Sequence, residues 1–540
     1  MGQITGSALV AKGLKNEGVE VLFYLMGGPI SPLVEESGNL GIKCVYVRHE
    51  QTAAMAAHAY ARATGNTGVC VATAGPGTLN ALTGVANAHA DAAPLVCLGG
   101  SGDLRDIHLG GFQEMEQTPM FASMTKLAYQ AKLTDRIPEY LSVAFRHAQD
   151  GCKGAIYIDL PGDVLDGTVE EDEVLFPTQY RVHSRPMGNP DEVKRAIDVL
   201  SRAKKPLVVT GSGVLWSEAS ESLRAFVNAT GMPFYTTPQG RGAIPEDHDL
   251  FFPGARSKAF RETDAVVVVG ARANSMLFNF RPPRFNEAAK FVEVNIDGTE
   301  LGRNRPVEVG IVGDADMVLK QLTEEAKGRV DSKNWAAWID ELRAQDAARE
   351  ERSQTQLNSD QTPIHPLRLC KELREAMDRD AILVVDGNEI LGFARHSIPS
   401  FNPRHRINAG PHGVMGIGVP FGIGAQVAHP DKQVIVLSGD GSFGWNGMDM
   451  DTAVRFKLPI KVIISNNAGF TAEGTYARVG RELGWVRYDK MMEAIGCHGE
   501  WAEEPSEIRP AIERALKAEG PAVVNIKTDP KAGAGSAVGL

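Results

Sequence analysis

The chain has 540 residues, 43% of them hydrophobic and 23% charged, with a formal net charge of −11. That length exceeds what one hydrophobic core supports and predicts about three domains, and the composition excludes a disordered chain. The acidic balance argues against nucleic acid as the main partner, because binding phosphate needs a basic face.

At the start, MGQITGSALVAKGLKNEG reads as a short lead and an amphipathic helix. It has no continuous apolar stretch of the kind a signal peptide carries, and no later segment is long enough to span a membrane. Six cysteines, Cys44, Cys70, Cys97, Cys152, Cys370 and Cys497, are scattered without CxxC pairs or metal-ligand spacing. They are expected to be buried reduced thiols, and the chain to be cytoplasmic with no membrane partner.

Apolar runs then alternate with helical patterns and Gly-rich turns: VEVLFYLMG, KCVYVRH, GVCVATAGPG, PLVCLGGSG and GAIYIDLPGD. The alternation predicts parallel α/β layers. One joint stands out. The run ending at Arg48-His49-Glu50 passes directly into a helix built on Ala53, Ala54, Ala56, Ala57, Ala59, Ala61 and Ala63. Such small residues imply close packing on all sides, so Glu50 is either a favourable charge at a helix start or a working group.

The first block is placed at residues 1–165, followed by a polar linker. A second α/β block, residues 190–328, carries KPLVVTGSG, DAVVVVGAR, KFVEVNID and VEVGIVGD. Its VVTGSGVLWSE only partly matches GxGxxG, since Trp216 replaces the glycine needed for close helix packing, which argues against a nicotinamide site. The third block, residues 364–528, carries AILVVDG, QVIVLSGDG, KVIISNN and AVVNIKTD, and residues 529–540 form a flexible tail. The predicted architecture is α/β, with three doubly wound parallel-sheet domains.

The third block holds the sharpest chemistry. One strand ends in Gly439-Asp440-Gly441, and Asn467 follows Asp440 by 27 positions, about one βαβ crossover. Both side chains are therefore expected at the carboxyl ends of parallel strands, where open α/β sheets bind ligands. A carboxylate, an amide oxygen and a nearby carbonyl suit Mg²⁺, which keeps bonds free for phosphates.

With GDG and NN at this spacing, the chain resembles the thiamine diphosphate (ThDP)-dependent decarboxylases, lyases and synthases. RHEQTAAMAAHAYARATG and TAGPGTLNALTGVANAHADAAPL resemble that family's pyrimidine-binding domain. GPHGVMGIGVPFGIGA resembles the opening of its diphosphate-binding domain, and the likeness runs over nearly the whole chain. It implies Mg²⁺ held by Asp440, Asn467 and the carbonyl of Gly469. It implies cofactor contacts at Gly28, Glu50, Gly75, Pro76, Asn80 and Asn87 on the pyrimidine side. On the diphosphate side it implies Met415, Gly439, Asp440, Gly441, Ser442, Asn467, Gly469 and Phe470. Glu50 would bond to the aminopyrimidine and favour the imino form that takes the thiazolium proton, and Met415 would force the bent shape of the cofactor. The reaction would pass through a ylide and an enamine. The family pairs these domains across subunits, which implies a homodimer or a dimer of dimers.

Within the family, GFQEMEQ, GARSKAF, VGARANSMLFNFRPPRF and the DPKAGAGSAVGL ending resemble oxalyl-CoA decarboxylases and 2-hydroxyacyl-CoA lyases. There the middle domain helps hold an adenine nucleotide, so ADP or CoA is a candidate ligand, and Arg303 and Arg305 are candidate phosphate contacts. DGNEILGFAR and GMDMDTAVRFKLP resemble acetolactate synthase-like proteins. The expected substrate is thus a 2-hydroxyacyl-CoA or related acyl-CoA cleaved at a carbon–carbon bond, with an acetolactate synthase-like reaction on a free 2-oxo acid as the alternative. A catalytically silent paralogue is a third reading, against which the intact Glu50, Asp440 and Asn467 argue. A departure falls at Phe470-Thr471-Ala472-Glu473, where Thr471 stands for an expected tyrosine. Glu473 resembles the glutamate of pyruvate decarboxylases and is a candidate acid/base, with Gln113 and His412 as candidates for the substrate oxygens.

Overall fold

The computed structural model describes residues 2–181, 184–470 and 479–534. In chain order the strands are β1 (Gln3–Thr5), β2 (Val21–Tyr24), β3 (Lys43–Tyr46), β4 (Gly68–Ala72), β5 (Leu95–Ser101), β6 (Leu127–Gln130), β7 (Ala155–Pro161) and β8 (Thr168–Glu170). Next come β9 (Pro206–Thr210), β10 (Phe234–Thr236), β11 (Ala265–Val269), β12 (Lys290–Asn295) and β13 (Val309–Val312). The last group is β14 (Ile382–Asp386), β15 (Arg406–Asn408), β16 (Val434–Gly439), β17 (Lys461–Asn466), β18 (His498–Ala502) and β19 (Ala522–Lys527).

They form three parallel sheets flanked by helices, in the orders β3-β2-β4-β5-β7-β6, β10-β9-β11-β12-β13 and β15-β14-β16-β17-β19-β18. A short antiparallel ribbon pairs β1 with β8. The central strands read as unbroken apolar runs, such as Ala-Val-Val-Val-Val in β11 with all five residues buried. A strand covered by helices on both faces requires that composition. In each sheet the order reverses between neighbouring strands, leaving a crevice at the carboxyl ends.

The helix Glu50–Thr64 holds the three domains together. His49 caps its start by accepting from the Gln51 N–H, and Gly65 ends it in the left-handed region at φ 86. Its alanine face packs on the helix Gly418–Ala428 of the third domain. The contact is so close that a methyl at Gly424 would lie 2.1 Å from the Ala56 carbonyl oxygen. Near its start, the third-domain Asp449 accepts from the Arg48 N–H at 2.8 Å and from the Thr52 hydroxyl at 2.6 Å.

Near its end lies a buried polar knot around Asp91. That carboxylate meets His58 Nε2 at 3.0 Å, Arg62 Nη1 at 3.3 Å and Nε2 of Gln239, from the central domain, at 2.6 Å. Burial alone would raise the Asp91 pKa, but Arg62, His58 and Gln239 outweigh it and hold the carboxyl below its ordinary value. Among the described residues no helix is long and apolar enough to cross a membrane.

Removing one partner of a buried ion pair costs about 3–5 kcal/mol, so Asp91→Asn is expected to lose stability of that order in denaturant melts. A carboxyl with a lowered folded pKa stabilises fully above its unfolded value, and that contribution is lost as pH falls through the folded value. The gap between wild type and Asp91→Asn should therefore stay constant through neutral pH and narrow below about pH 4.

Candidate active site

Two groups of residues converge at strand ends, one in the first domain and one in the third. In the first, Glu50 begins its helix with its side chain buried. Asn80, on the helix Pro76–Ala90, donates to Glu50 Oε2 at 3.0 Å. The Gly75-Pro76-Gly77 turn lies against the same carboxylate, with a methyl at Gly77 falling 3.2 Å from Glu50 Oε1. Gly75 itself takes φ 62 and ψ −113, which a side chain would resist, and Gln113 backs it closely. Gly28 is exposed at the start of a short 3₁₀ turn on the adjoining loop.

A residue that sequence reasoning passed over holds this turn in place. Gln117 is buried; its Oε1 accepts from the Gly75 N–H, and its Nε2 lies 3.0 Å from the Gly100 carbonyl and 2.9 Å from the Tyr157 hydroxyl. Behind it sits Asp159, whose pKa burial raises. The GFQEMEQ string contained Gln117 but gave no sign of which glutamine turns inward.

Not every expected residue joins Glu50. Asn87, two turns beyond Asn80, is fully buried with its Nδ2 3.5 Å from His58 Nδ1, and so belongs to the Asp91 knot.

In the third domain, parallel pairing of Gly439 with Ser465 sets Asp440 and Asn467 side by side at the ends of β16 and β17. They line a cleft of about 550 Å³ with Gly439, Gly441, Ser442, Gly469, Phe470 and Met415. Asp440 starts the helix Asp440–Asn446, and burial pushes its pKa up to about 7, partly opposed by the backbone N–H groups of Gly441, Asn467 and Gly469. Within the Asn-Asn pair the roles divide. Asn466 is fully buried and bonds to the Val486 carbonyl and Asn525 Oδ1, which leaves Asn467 facing the cleft.

The donors fit a hard divalent cation. Among the described residues no three His, Cys, Asp or Glu side chains gather as a metal cage. One carboxylate, one amide oxygen and the Gly469 carbonyl are what a Mg²⁺ that also binds phosphate oxygens and water requires. The narrow glycine-lined wall gives a diphosphate close backbone approach.

Asp386, at the end of β14, was not anticipated. It accepts from the Gly418 N–H at 2.9 Å, and burial pushes its pKa up to about 7. Glu389 also lines the cleft, and its Oε2 accepts from the Ala534 N–H, which draws the start of the tail across the opening. His412 does not line the cleft; it is exposed beside His89. Glu473 and Thr471 fall outside the described residues.

Among the described residues, all those lining this cleft come from the third domain and its tail, and Glu50 is not one of them. Trp445 in the cleft wall is 59% exposed, and Phe112, next to the Gln113 that backs Gly75, is 89% exposed.

Two further cavities lie on the central domain. One, of about 820 Å³, opens at the carboxyl ends of its sheet between Gly213, Gly270, Asn295 and Asp314. Trp216 forms part of its wall, with the guanidinium of Arg404 5.1 Å from its ring centroid. The other, of about 810 Å³, lies between the helices Arg256–Glu262 and Ala336–Leu357 and is lined by Lys258, Arg261, Arg349 and Arg352. Arg303 and Arg305 belong to neither. Arg305 donates to the carbonyls of Phe280, Asn286, Glu287 and Ala289, and Arg303 pairs with Glu300.

Three family descriptions match the chain: the thiamine pyrophosphate enzyme N-terminal TPP binding domain at residues 4–120, the central domain at 193–322 and the C-terminal TPP binding domain at 387–526. The chain is 33% identical to a 2-hydroxyacyl-CoA lyase of Arabidopsis thaliana, over 99% of this chain and 97% of that protein. It is 31% identical to a probable acetolactate synthase large subunit of Methanococcus aeolicus, over 98% and 92%. It is 30% identical to the oxalyl-CoA decarboxylase of Escherichia coli strain K12, over 98% and 95%.

Gln117→Leu would leave the Gly75 N–H without its acceptor, at a cost of about 1–3 kcal/mol. The expected result is about tenfold weaker ThDP binding, the equivalent of about 1.4 kcal/mol, read by titrating the apoprotein with cofactor.

Proposed function

The chain belongs to the thiamine pyrophosphate enzyme family, and on that premise we propose that it cleaves a carbon–carbon bond in a 2-hydroxyacyl-CoA or related acyl-CoA, using ThDP and Mg²⁺. The relatives include proteins named for acyl-CoA substrates and proteins named for acetolactate synthesis, so identity alone does not choose between the two.

The observation that carries the choice is the basic cleft of about 810 Å³ beside the third domain. Of its lining cations, Arg261, Arg349 and Arg352 have no carboxylate within ion-pair distance among the described residues, while Lys258 pairs with Glu262, which also lines it. Arg256, next to the lining Ser257 but itself packed over Phe260, is pushed by burial to a pKa of about 10. Arg349 reaches His396 at 3.5 Å, and burial with the surrounding arginines pushes that imidazole down to about 3. His396 therefore stays neutral and adds no further repulsion. A polyphosphate with a nucleotide attached fills such a surface, whereas a free 2-oxo acid has no use for one.

The division of labour follows from the geometry. Asp440, Asn467 and the Gly469 carbonyl would hold Mg²⁺ and through it the diphosphate, with Gly441 and Ser442 alongside. Bound ThDP supplies a carbon nucleophile and then stores the electron pair released when the substrate bond breaks. Glu50 would hold a proton at the aminopyrimidine, its carboxylate aimed by Asn80 and kept dry by the alanine-rich helix behind it. Gln113 and Glu473 are the residues we assign to substrate oxygens and proton transfer; His412, turned toward His89, is assigned no such contact. Since no first-domain residue lines the cleft, Glu50 of a second copy would complete it, which makes the working unit a homodimer or a dimer of dimers. With the CoA polyphosphate placed on the basic cleft, the cavity of about 820 Å³ at the central sheet is assigned to the other candidate adenine nucleotide, ADP. The free cysteines fit a reducing compartment such as the cytoplasm.

Glu50→Gln is expected to bind ThDP and Mg²⁺ yet lose about 10²–10⁴-fold in turnover, because general acid–base help of that size disappears. A panel of 2-hydroxyacyl-CoA thioesters set against pyruvate tests the substrate. Turnover of pyruvate with inert thioesters would sink the acyl-CoA reading. Arg349→Ala with Arg352→Ala should raise KM for the thioester about tenfold without changing ThDP affinity.

A further inference from the structure

The joint between the central and third domains contains a second cluster of cations, away from the cofactor cleft. Arg406, on edge strand β15, is only 3% exposed, yet its one hydrogen bond runs from Nη1 to the Ile398 carbonyl at 3.3 Å. Among the described residues no carboxylate lies within ion-pair distance of it. The nearest acid, Glu246, is already engaged: it takes Arg241 through both oxygens and also accepts from the Ser400 N–H at 2.9 Å. Arg241 moreover donates to the same Ile398 carbonyl at 3.0 Å. A buried guanidinium in that position is costly unless an anion joins it.

The side chain lines a cavity of about 210 Å³. Arg374 lines it as well, donating from Nη1 to the Ser397 carbonyl at 3.2 Å, with the exposed Glu375 4.0 Å from its Nη2 as a loose partner. Arg379 at the rim is already paired with Asp247 and stacked on Phe401. Met377, Leu383 and Phe401 give the wall an apolar side, Ser400 and His405 add two polar groups, and the exposed Asp378 brings one negative charge to the edge.

These features restrict the ligand. The volume lies well below the roughly 300–1,000 Å³ of cofactor and drug pockets. Two guanidiniums select an oxyanion, whereas Asp378 and the apolar wall disfavour a compact dianion such as phosphate. We propose that this cavity binds a short-chain aliphatic monocarboxylate, its carboxylate on Arg406 and Arg374 and its hydrocarbon against Met377, Leu383 and Phe401. The site is separate from the cofactor cleft. Strand β14 runs from Leu383 at the cavity to Asp386, whose neighbour Gly387 lines the cleft, so one strand joins the two. The proposal does not depend on which substrate the active site takes.

The test is calorimetric titration of sodium butyrate into the full-length protein saturated with ThDP and Mg²⁺. One butyrate per chain is expected, at least tenfold weaker in Arg406→Met and several-fold weaker in Arg374→Gln, with no heat from inorganic phosphate. Arg374→Gln, which alters a half-exposed side chain, should keep full turnover and decides the matter if Arg406→Met does not fold. Undiminished butyrate binding in Arg374→Gln, absence of binding in the wild type, or equal binding of phosphate would each overturn the assignment.

Discussion

A helix with no polar face must be enclosed on every side, and the structure follows from how the helix Glu50–Thr64 is enclosed. Its alanines leave room for helix backbones to touch, so the Gly418–Ala428 helix of the third domain packs against it with glycine at the closest point. Its two ends are fixed by polar groups from other domains: Asp449 on Arg48 and Thr52, and the Asp91 knot with Gln239 on His58 and Arg62. Small side chains supply little binding area per residue, so it falls to these buried hydrogen bonds to make the packing directional. Glu50, at the first position of the helix, inherits that rigidity. Its carboxylate is aimed because nothing in the helix behind it can shift independently.

The same enclosure bears on where the two groups of site residues lie. The face of the third domain that packs on the alanine-rich helix is given over to that contact, while the ends of β16 and β17 open elsewhere. Asp440 and Asn467 thus line a cleft to which, among the described residues, the first domain contributes none. Exposed Trp445 in its wall and exposed Phe112 near the Gly75 turn are apolar surface of the kind that marks an interaction site.

What was legible in the sequence was chemistry set by local chain geometry. Gly-Asp-Gly after a β-branched run can only sit at a strand end, and a second strand end one crossover later fixes its neighbour, so Asp440 and Asn467 could be paired before any fold was known. Three parallel sheets were legible for a related reason, since buried strands must be apolar on both faces. Residues whose meaning depends on distant neighbours were not. Asn87 has the helical spacing to accompany Asn80, but His58 claims its side chain. Arg305 has the charge to meet a phosphate, but four backbone carbonyls surround it. Gln117 and Asp386 act through bonds to chain segments that no spacing rule brings together.

The arginines at the joint of the central and third domains show the complementary principle. Arg241 and Glu246 satisfy each other through two hydrogen bonds and so act as structure. Arg406 shares their carbonyl acceptor but not their carboxylate, and Arg256 has neither. The two cations also differ in what surrounds them. Arg256 lies over the Phe260 ring, behind the basic cleft that its neighbours Ser257 and Lys258 line. Arg406 lines a small cavity with Met377, Leu383 and Phe401. A folded chain can hold a buried guanidinium with carbonyls alone, as around Arg305, but where the acceptors are few, as at Arg406, the charge favours an anion and the shape of the surrounding wall sets which one fits.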